Sequence, residues 1–257
     1  MKDSDSDAYL AKKALFDQML TIFGRKPVHE ALLDSNLSLI RLHLADSNRP
    51  APIIKDLIKL AEKHGTEICY HSRAELSRIS KNAKQDQGVA LDIKPKQFGN
   101  ADSLLANGEL SGELIALDNI TNPQNLGMII RSVSAAGIRG LILPKKGCAK
   151  LDSLVIKASA GTLFKAPILR CDNLEDCLRE AKKQGFAITG LDLKAKNTLG
   201  SLPASNKRIY VLGNETEGIS NTTRKLCTES VIIPMHNGVE SLNVAVTASL
   251  IAFKGCL

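Results

Sequence analysis

Apolar and polar positions alternate with two different periods along this chain, and each change of period marks an expected strand or helix. Before residue 93 the pattern predicts helices near 27–32, over 53–64 and over 73–80, with strands over 37–44 and 66–70. In the second helix, Ile54, Leu57 and Ala61 recur at helical spacing and share one face. This mixture of helices and strands predicts a small α/β domain over residues 24–93.

A second and larger unit is predicted from residue 113 to residue 257. Apolar runs predict strands over 114–117, 140–143, 166–170, 187–191, 208–212 and 230–233, separated by helices over 125–136, 153–160, 174–184 and 241–254. Strands that alternate with helices predict a parallel sheet covered on both faces. Residues 94–112 are expected to form a linker, and residues 1–23 an N-terminal extension with a helical stretch over 8–23.

Composition restricts the class of protein. Hydrophobic residues make up 44% of the 257 residues and aromatic residues only 4%, so an aliphatic core is expected. No apolar run reaches the roughly 18 residues of a membrane helix, and the polar N-terminus does not resemble a signal peptide. The six cysteines form no CxxC pair and no zinc spacing, which predicts reduced thiols, no metal site and a cytoplasmic location.

The net charge of +7 favours a polyanionic partner, although an ordinary basic protein explains it equally well. Residues 1–100 carry 16 basic and 13 acidic side chains, and residues 101–257 carry 18 and 14. By this count, the surplus of basic over acidic residues is expected to be spread along the whole chain.

Three polar runs each follow a predicted strand: LIALDNITNPQNLGMIIR, YVLGNETEGIS and VIIPMHNGVESLNV. Ligands of open α/β sheets gather at the carboxyl ends of the strands. Taken singly, each run is also explained by a capped turn, with Asn122 or Ser241 capping a helix. A nucleotide-dependent dehydrogenase is disfavoured because the chain lacks the GxGxxG fingerprint at these turns.

Taken together and in this order, NPQNLGMIIR, GNETEGIS and IPMHNGVESLNV resemble the three motifs of the SpoU (TrmH-like) family of RNA ribose 2′-O-methyltransferases. The resemblance is strong over residues 113–257. It is weaker over 24–92, which is similar to the family's small substrate-binding domain with a ribosomal-protein L30e-like fold. There the chain has DQGV, with Asp86 where histidine is common.

The resemblance implies a SPOUT-type α/β fold whose C-terminal segment forms a trefoil knot, and a homodimer with active sites near the subunit interface. It also implies S-adenosyl-L-methionine as cofactor, held in the knot. The cofactor-binding residues implied by the motifs are Leu212, Gly213, Asn214, Gly218, Ile233, Met235, Ser241 and Leu242.

The catalytic residues implied by the resemblance are Asn125, Arg131, Glu215 and Asn243. A sulfonium is already a strong electrophile, so the demanding step is loss of the hydroxyl proton. Since a guanidinium stays protonated up to about pH 12, Arg131 is expected to stabilise charge rather than accept the proton.

The expected function is therefore methyl transfer to a ribose 2′-hydroxyl of structured RNA. The additional N-terminal domain favours ribosomal RNA over transfer RNA as the substrate. The alternative is a non-catalytic RNA-binding or ribosome-assembly protein that retains the fold. One polar set argues against that alternative, because a purely structural role does not require its members together: Asn125, Arg131, Glu215, Ser241 and Asn243.

Overall fold

A computed structural model describes residues 19–35, 37–94 and 98–256. The chain divides into two compact units, Met1–Gln97 and Phe98–Leu257. Residues 8–18 of the predicted N-terminal helix lie outside the described residues.

The first unit contains a four-stranded sheet in the order β1-β4-β2-β3. Its strands are β1 (Leu20–Phe23), β2 (Ser38–Ala45), β3 (Glu67–His71) and β4 (Val89–Lys94), and its helices are α1 (Arg25–Leu33), α2 (Pro52–Lys63) and α3 (Arg73–Ser80). Strand β4 is antiparallel to β1 and β2, while β2 and β3 are parallel. The prediction of a helix over 8–23 is wrong at its end, because residues 20–23 form β1. The pairing partner of β1 is about 70 residues away in sequence, so no local pattern reveals it.

The second unit contains an eight-stranded sheet in the order β10-β12-β9-β11-β6-β7-β8-β5, with every pair parallel. The strands are β5 (Gly99–Asn100), β6 (Gly112–Leu117), β7 (Gly140–Pro144), β8 (Ile168–Cys171), β9 (Ala187–Leu191), β10 (Asn197–Thr198), β11 (Lys207–Leu212) and β12 (Glu229–Ile232). The helices are α4 (Ala101–Ala106), α5 (Pro123–Ala136), α6 (Ser153–Ala158), α7 (Leu174–Lys183), α8 (Asn221–Arg224) and α9 (Val244–Ala252). The predicted parallel sheet is confirmed. None of the described helices is long and apolar enough to cross a membrane.

Two predicted boundaries need correction. The predicted linker contains β5 and α4, which are too short to show a period. Asn100 caps α4 by accepting a hydrogen bond from the Ser103 amide at 2.8 Å. The C-terminal helix begins at Val244 rather than Ser241, because Asn243 is the residue that caps it, accepting from the Ala245 amide at 2.8 Å.

The strand order reverses beside β6. Successive strands β6, β7 and β8 extend the sheet in one direction, whereas β11, β9 and β12 lie on the other side of β6. Such a reversal leaves a crevice at the carboxyl ends of the strands, where α/β proteins bind ligands.

Candidate functional site

A cavity of about 630 Å³ lies at the carboxyl ends of β9, β11 and β12. The last residues of these strands, Leu191, Leu212 and Ile232, contribute to its wall. Ile233 and Leu242 add further apolar surface. The volume lies within the range of about 300–1,000 Å³ typical of small-molecule and cofactor sites.

The eight residues predicted to bind a cofactor all line this cavity, although they come from two separate runs of the chain. They are Leu212, Gly213, Asn214, Gly218, Ile233, Met235, Ser241 and Leu242. Glu215, predicted as catalytic, also lines it. The second and third sequence runs therefore build one concave surface.

The loop from Gly213 to Gly218 closes on itself at the cavity wall. The Asn214 amide donates to the Gly218 carbonyl at 3.0 Å, and the Gly218 amide donates back to the Asn214 carbonyl at 2.8 Å. A Cβ atom at position 213 would lie 2.1 Å from the Gly218 carbonyl carbon. Gly213 is therefore needed for clearance from the opposing backbone of its own loop.

Side chains from all three sequence runs meet beside the cavity. Asn125 Nδ2, in the side chain, donates to Glu215 Oε1 in a close hydrogen bond. Asn243 Nδ2 donates to Asn125 Oδ1 at 3.1 Å. Asn125 is buried, whereas Glu215 and Asn243 are exposed, so this polar triad opens to solvent above its buried central member.

Helices α5 and α9 hold the triad in place. Asn122 caps α5 by accepting from the Gln124 amide at 2.8 Å, which sets Asn125 in the first turn. Ser132 and Ser249 join the two helices through hydroxyls 2.8 Å apart.

The loops after β6 and β11 are also connected. The Ser220 amide donates to Asp118 Oδ2 at 2.8 Å, and the Asn214 side chain donates to the Asn119 carbonyl at 3.0 Å. These bonds join the first and second runs at the edge of the cavity.

Arg131 is not part of the triad. It lies on α5 but is exposed, and its side chain makes no hydrogen bond or ion pair with the described residues. Met128, one turn before it, is 42% exposed, and Val246 and Leu250 on α9 are 47% and 40% exposed. Arg131 thus borders an exposed apolar face formed by Met128, Val246 and Leu250.

Sequence reasoning missed an ion pair in the cavity wall. Arg224 Nη1 lies 2.7 Å from Asp192 Oδ2, and both residues line the cavity. Asp192 directly follows β9, so the rule that ligands gather at the carboxyl ends of strands was the signal for it. Arg224 lies at the end of a four-residue helix with no comparable signal.

Asp86 of the first unit is fully buried. Its carboxylate accepts hydrogen bonds from Ser80 Oγ and from the Gly88 amide, both at 2.9 Å, and it pairs with Arg73 at 3.0 Å. Asp86 therefore anchors the turn before β4 and faces the protein interior.

Family models match both units. The model described as "SpoU rRNA Methylase family" matches residues 113–253. A second model, "RNA 2'-O ribose methyltransferase substrate binding", matches residues 21–99.

Relatives and solved structures match nearly the whole chain. A protein from Mycobacterium sp. (strain KMS), named an uncharacterized tRNA/rRNA methyltransferase, is 33% identical over 238 residues, covering 91% of this chain and 75% of its own length. A relative with the same name from Mycolicibacterium paratuberculosis is 34% identical over 90% of this chain and 75% of its own. An AdoMet-bound rRNA methyltransferase from Sinorhizobium meliloti superposes with a TM-score of 0.73 at 22% identity, covering 95% of this chain and 89% of that one. The SpoU methyltransferase AviRb from Streptomyces viridochromogenes with AdoMet gives 0.75 at 23% identity, covering 95% and 91%. At these identities the structures establish a shared SPOUT-type fold.

Proposed function

The chain belongs to the SpoU rRNA methylase family, and from that premise we propose that it transfers a methyl group from S-adenosyl-L-methionine to a ribose 2′-hydroxyl of structured RNA. The observation that carries the proposal is the meeting of Asn125, Glu215 and Asn243 beside a cofactor-sized cavity. The names of the relatives, tRNA/rRNA methyltransferases, support RNA as the substrate.

The cavity fits S-adenosylmethionine in size and chemistry. Leu212, Ile233 and Leu242 offer apolar walls to a flat adenine. The backbone of Gly213 and Met235, which also line the cavity, offers polar groups to the edge of the adenine. The Asp192–Arg224 pair provides charges of both signs, as an amino-acid end requires. When bound, the cofactor supplies a methyl group on a sulfonium, which is strongly electrophilic.

The polar triad is proposed to act on the hydroxyl. A ribose hydroxyl is not ionised near neutral pH, so the site must orient it and take or stabilise its proton. Asn125, fixed by its two hydrogen bonds, positions the exposed carboxylate of Glu215. Glu215 either accepts the proton or orients the arginine that stabilises the developing alkoxide.

A homodimer is proposed to complete the site. Met128, Val246 and Leu250 form the exposed apolar face beside Arg131, and burying such a face is favourable. A second copy of this chain on that face would place Arg131 at the interface. Arg131 is then proposed to bind RNA phosphate and alkoxide charge near the partner's triad.

The division of labour between the units is also a proposal. Residues 24–93 bind the substrate RNA, with ribosomal RNA preferred over transfer RNA, and residues 113–257 carry the methyltransferase site. The match of a substrate-binding model to residues 21–99 supports this assignment. The C-terminal trefoil knot is proposed on family grounds alone.

The alternative is an RNA-binding or ribosome-assembly protein without catalysis. Calorimetric titration with S-adenosylhomocysteine separates the two functions. The proposal predicts saturable one-to-one binding that is lost when Gly213 is replaced by valine. A protein that binds RNA but gives no heat with S-adenosylhomocysteine would support the alternative.

A further inference from the structure

The net charge of this chain is concentrated in one segment. Residues 119–171 contain eight lysine and arginine residues and a single acidic residue, Asp152, which gives +7, the net charge of the whole chain. The rest of the chain is balanced. Dividing the chain at residue 100 conceals this, because residues 101–118 contain four acidic and no basic residues and so offset the segment. The expectation of a spread surplus is therefore wrong.

Asp152, the one acidic residue of the segment, lies at the start of α6. Its carboxylate caps α6, accepting from the Leu154 amide at 2.9 Å and the Val155 amide at 3.3 Å. The segment therefore keeps a large positive net charge, which favours a polyanionic partner.

A loop of this segment lies next to the polar triad. Residues 145–150 follow β7 at the carboxyl edge of the sheet and contain Lys145, Lys146 and Lys150, all exposed. The Ala149 amide donates to the Ile120 carbonyl at 2.8 Å, which packs the loop on the turn that leads into α5 and Asn125. Lys145 pairs with Asp172, whereas the ammonium groups of Lys146 and Lys150 make no ion pair with the described residues.

Arg170 lies beneath the same loop at the end of β8. It is half-buried, and no carboxylate of the described residues pairs with it. Burial lowers the pKa of its guanidinium. The neighbouring Cys148 does not compensate, because burial raises the pKa of that thiol to about 11 and keeps it neutral. A partly desolvated cation without a counterion costs folding free energy, and a bound anion would offset that cost.

We propose that the loop over residues 145–150 and Arg170 form a surface that binds the phosphates of the substrate RNA beside the triad. The inference rests on the proposed function and adds to it a contact surface on the methyltransferase unit itself. Phosphate contacts carry no sequence information, but they fix the register of an RNA on a protein. On this chain they would hold the backbone while a neighbouring ribose enters the site.

The test compares two double variants with the same loss of charge. Lys146→Gln/Lys150→Gln removes two cations from the proposed surface. Lys182→Gln/Lys225→Gln removes two exposed lysines outside the segment. Affinity for a labelled RNA stem-loop is measured across a series of salt concentrations. Each phosphate contact contributes about 0.7–0.9 to the slope of log affinity against log salt, so the loop variant should lower that slope by about 1.4–1.8. Its affinity should fall roughly tenfold at low salt.

An unchanged slope in the loop variant, or an equal loss in the control, overturns the proposed surface. Calorimetry with S-adenosylhomocysteine on the same proteins separates this failure from failure of the function. A wild-type protein that binds S-adenosylhomocysteine but shows equal slopes refutes the surface alone. A wild-type protein that does not bind it refutes the proposed function.

Arg170→Gln tests the half-buried member of the surface. Removing an unpaired, desolvated charge should leave the melting temperature unchanged or raise it, while the RNA salt slope falls. A structural arginine would give the reverse. A lower melting temperature with an unchanged slope would overturn the assignment of Arg170.

Discussion

The side chain of Asn125 donates a hydrogen bond to the carboxylate of Glu215, although 90 residues separate them in the chain. The bond connects the helix after β6 to the loop after β11. Because Asn125 is buried and Glu215 is exposed, the bond fixes an exposed carboxylate from the interior of the second unit.

Replacing Glu215 with glutamine should therefore affect turnover more than binding. The variant keeps the shape of the side chain but loses its charge, and with it the ability to accept a proton or orient a cation. We expect kcat to fall roughly a hundredfold or more, while affinity for S-adenosylhomocysteine stays within about twofold. Steady-state kinetics and calorimetry check both values. A variant with wild-type kcat would remove Glu215 from the catalytic assignment.

Gly213→Ala should destabilise the protein and weaken cofactor binding together. The added Cβ would overlap the backbone of Gly218 and Ile219, so the loop must move. Overpacking of this kind costs about 1–3 kcal/mol of unfolding free energy. Gly200→Ala is the matched control, because nothing lies within 4 Å of a Cβ there. Urea unfolding of both variants gives the comparison; equal stabilities would contradict the close approach seen in the loop.

Val246→Asp/Leu250→Asp should produce a monomer without methyl transfer. The two side chains are exposed on α9, and charges there would oppose burial against a second copy. Tyr70→Asp, at a residue 61% exposed in the first unit, serves as the control and should keep the oligomeric state. Sedimentation equilibrium measures the mass of each protein. A wild-type chain that sediments as a monomer, or an aspartate variant that stays dimeric, would contradict the proposed interface.

The environment of Asp92 predicts that the stability of the first unit depends on pH. Burial raises the pKa of its carboxyl, but hydrogen bonds from His43 at 2.9 Å and Thr21 at 2.6 Å outweigh burial and leave the pKa lowered. A group with a depressed folded-state pKa stabilises the protein above its unfolded pKa, near 4, and loses that contribution as pH falls. At neutral pH, Asp92→Asn should be less stable by about 1–3 kcal/mol.

The advantage of the wild type over Asp92→Asn should shrink as pH falls below about 4. Hydrogen exchange of the β4 amides reports on this unit locally. Comparing both proteins at each pH cancels the intrinsic exchange rate. A constant difference in protection from pH 7 to pH 3 would refute the role given to the carboxylate.

Local hydrophobic periodicity was sufficient to predict most strands and helices of the second unit, because most of its strands are short apolar runs followed by a helix. Strand β9 was predicted at its observed bounds, Ala187–Leu191, and so was α3, Arg73–Ser80. Strands β1 and β4 were missed because their pairing is antiparallel and distant in sequence, with Leu20 opposite Ile93. Ser241 was a reasonable cap by residue type, yet Asn243 takes that role, and only the path of the loop decides between them.

The sequence motifs likewise predicted only part of the candidate site. Eight residues from 212–218 and 233–242 were predicted to share a ligand because of their motifs, and all eight line one cavity. The Asp192–Arg224 pair belongs to no motif and depends on the adjacency of β9 and α8, which sequence spacing does not encode. Asp86, in a run that resembles a substrate-binding motif, is an interior anchor, and its burial could not be foreseen from DQGV alone.

The most direct test of the central claim follows the methyl group. Wild-type protein and Arg131→Ala are incubated with ribosomal RNA lacking the modification and with S-adenosylmethionine labelled in its methyl group, and the RNA is then digested to nucleosides for mass spectrometry. The exposed Arg131 makes no hydrogen bond or ion pair with the described residues, so the variant should fold and bind cofactor normally. The account predicts label on the ribose of a 2′-O-methylnucleoside with the wild type and none with Arg131→Ala. Label on a base, or no label with either protein, would contradict it.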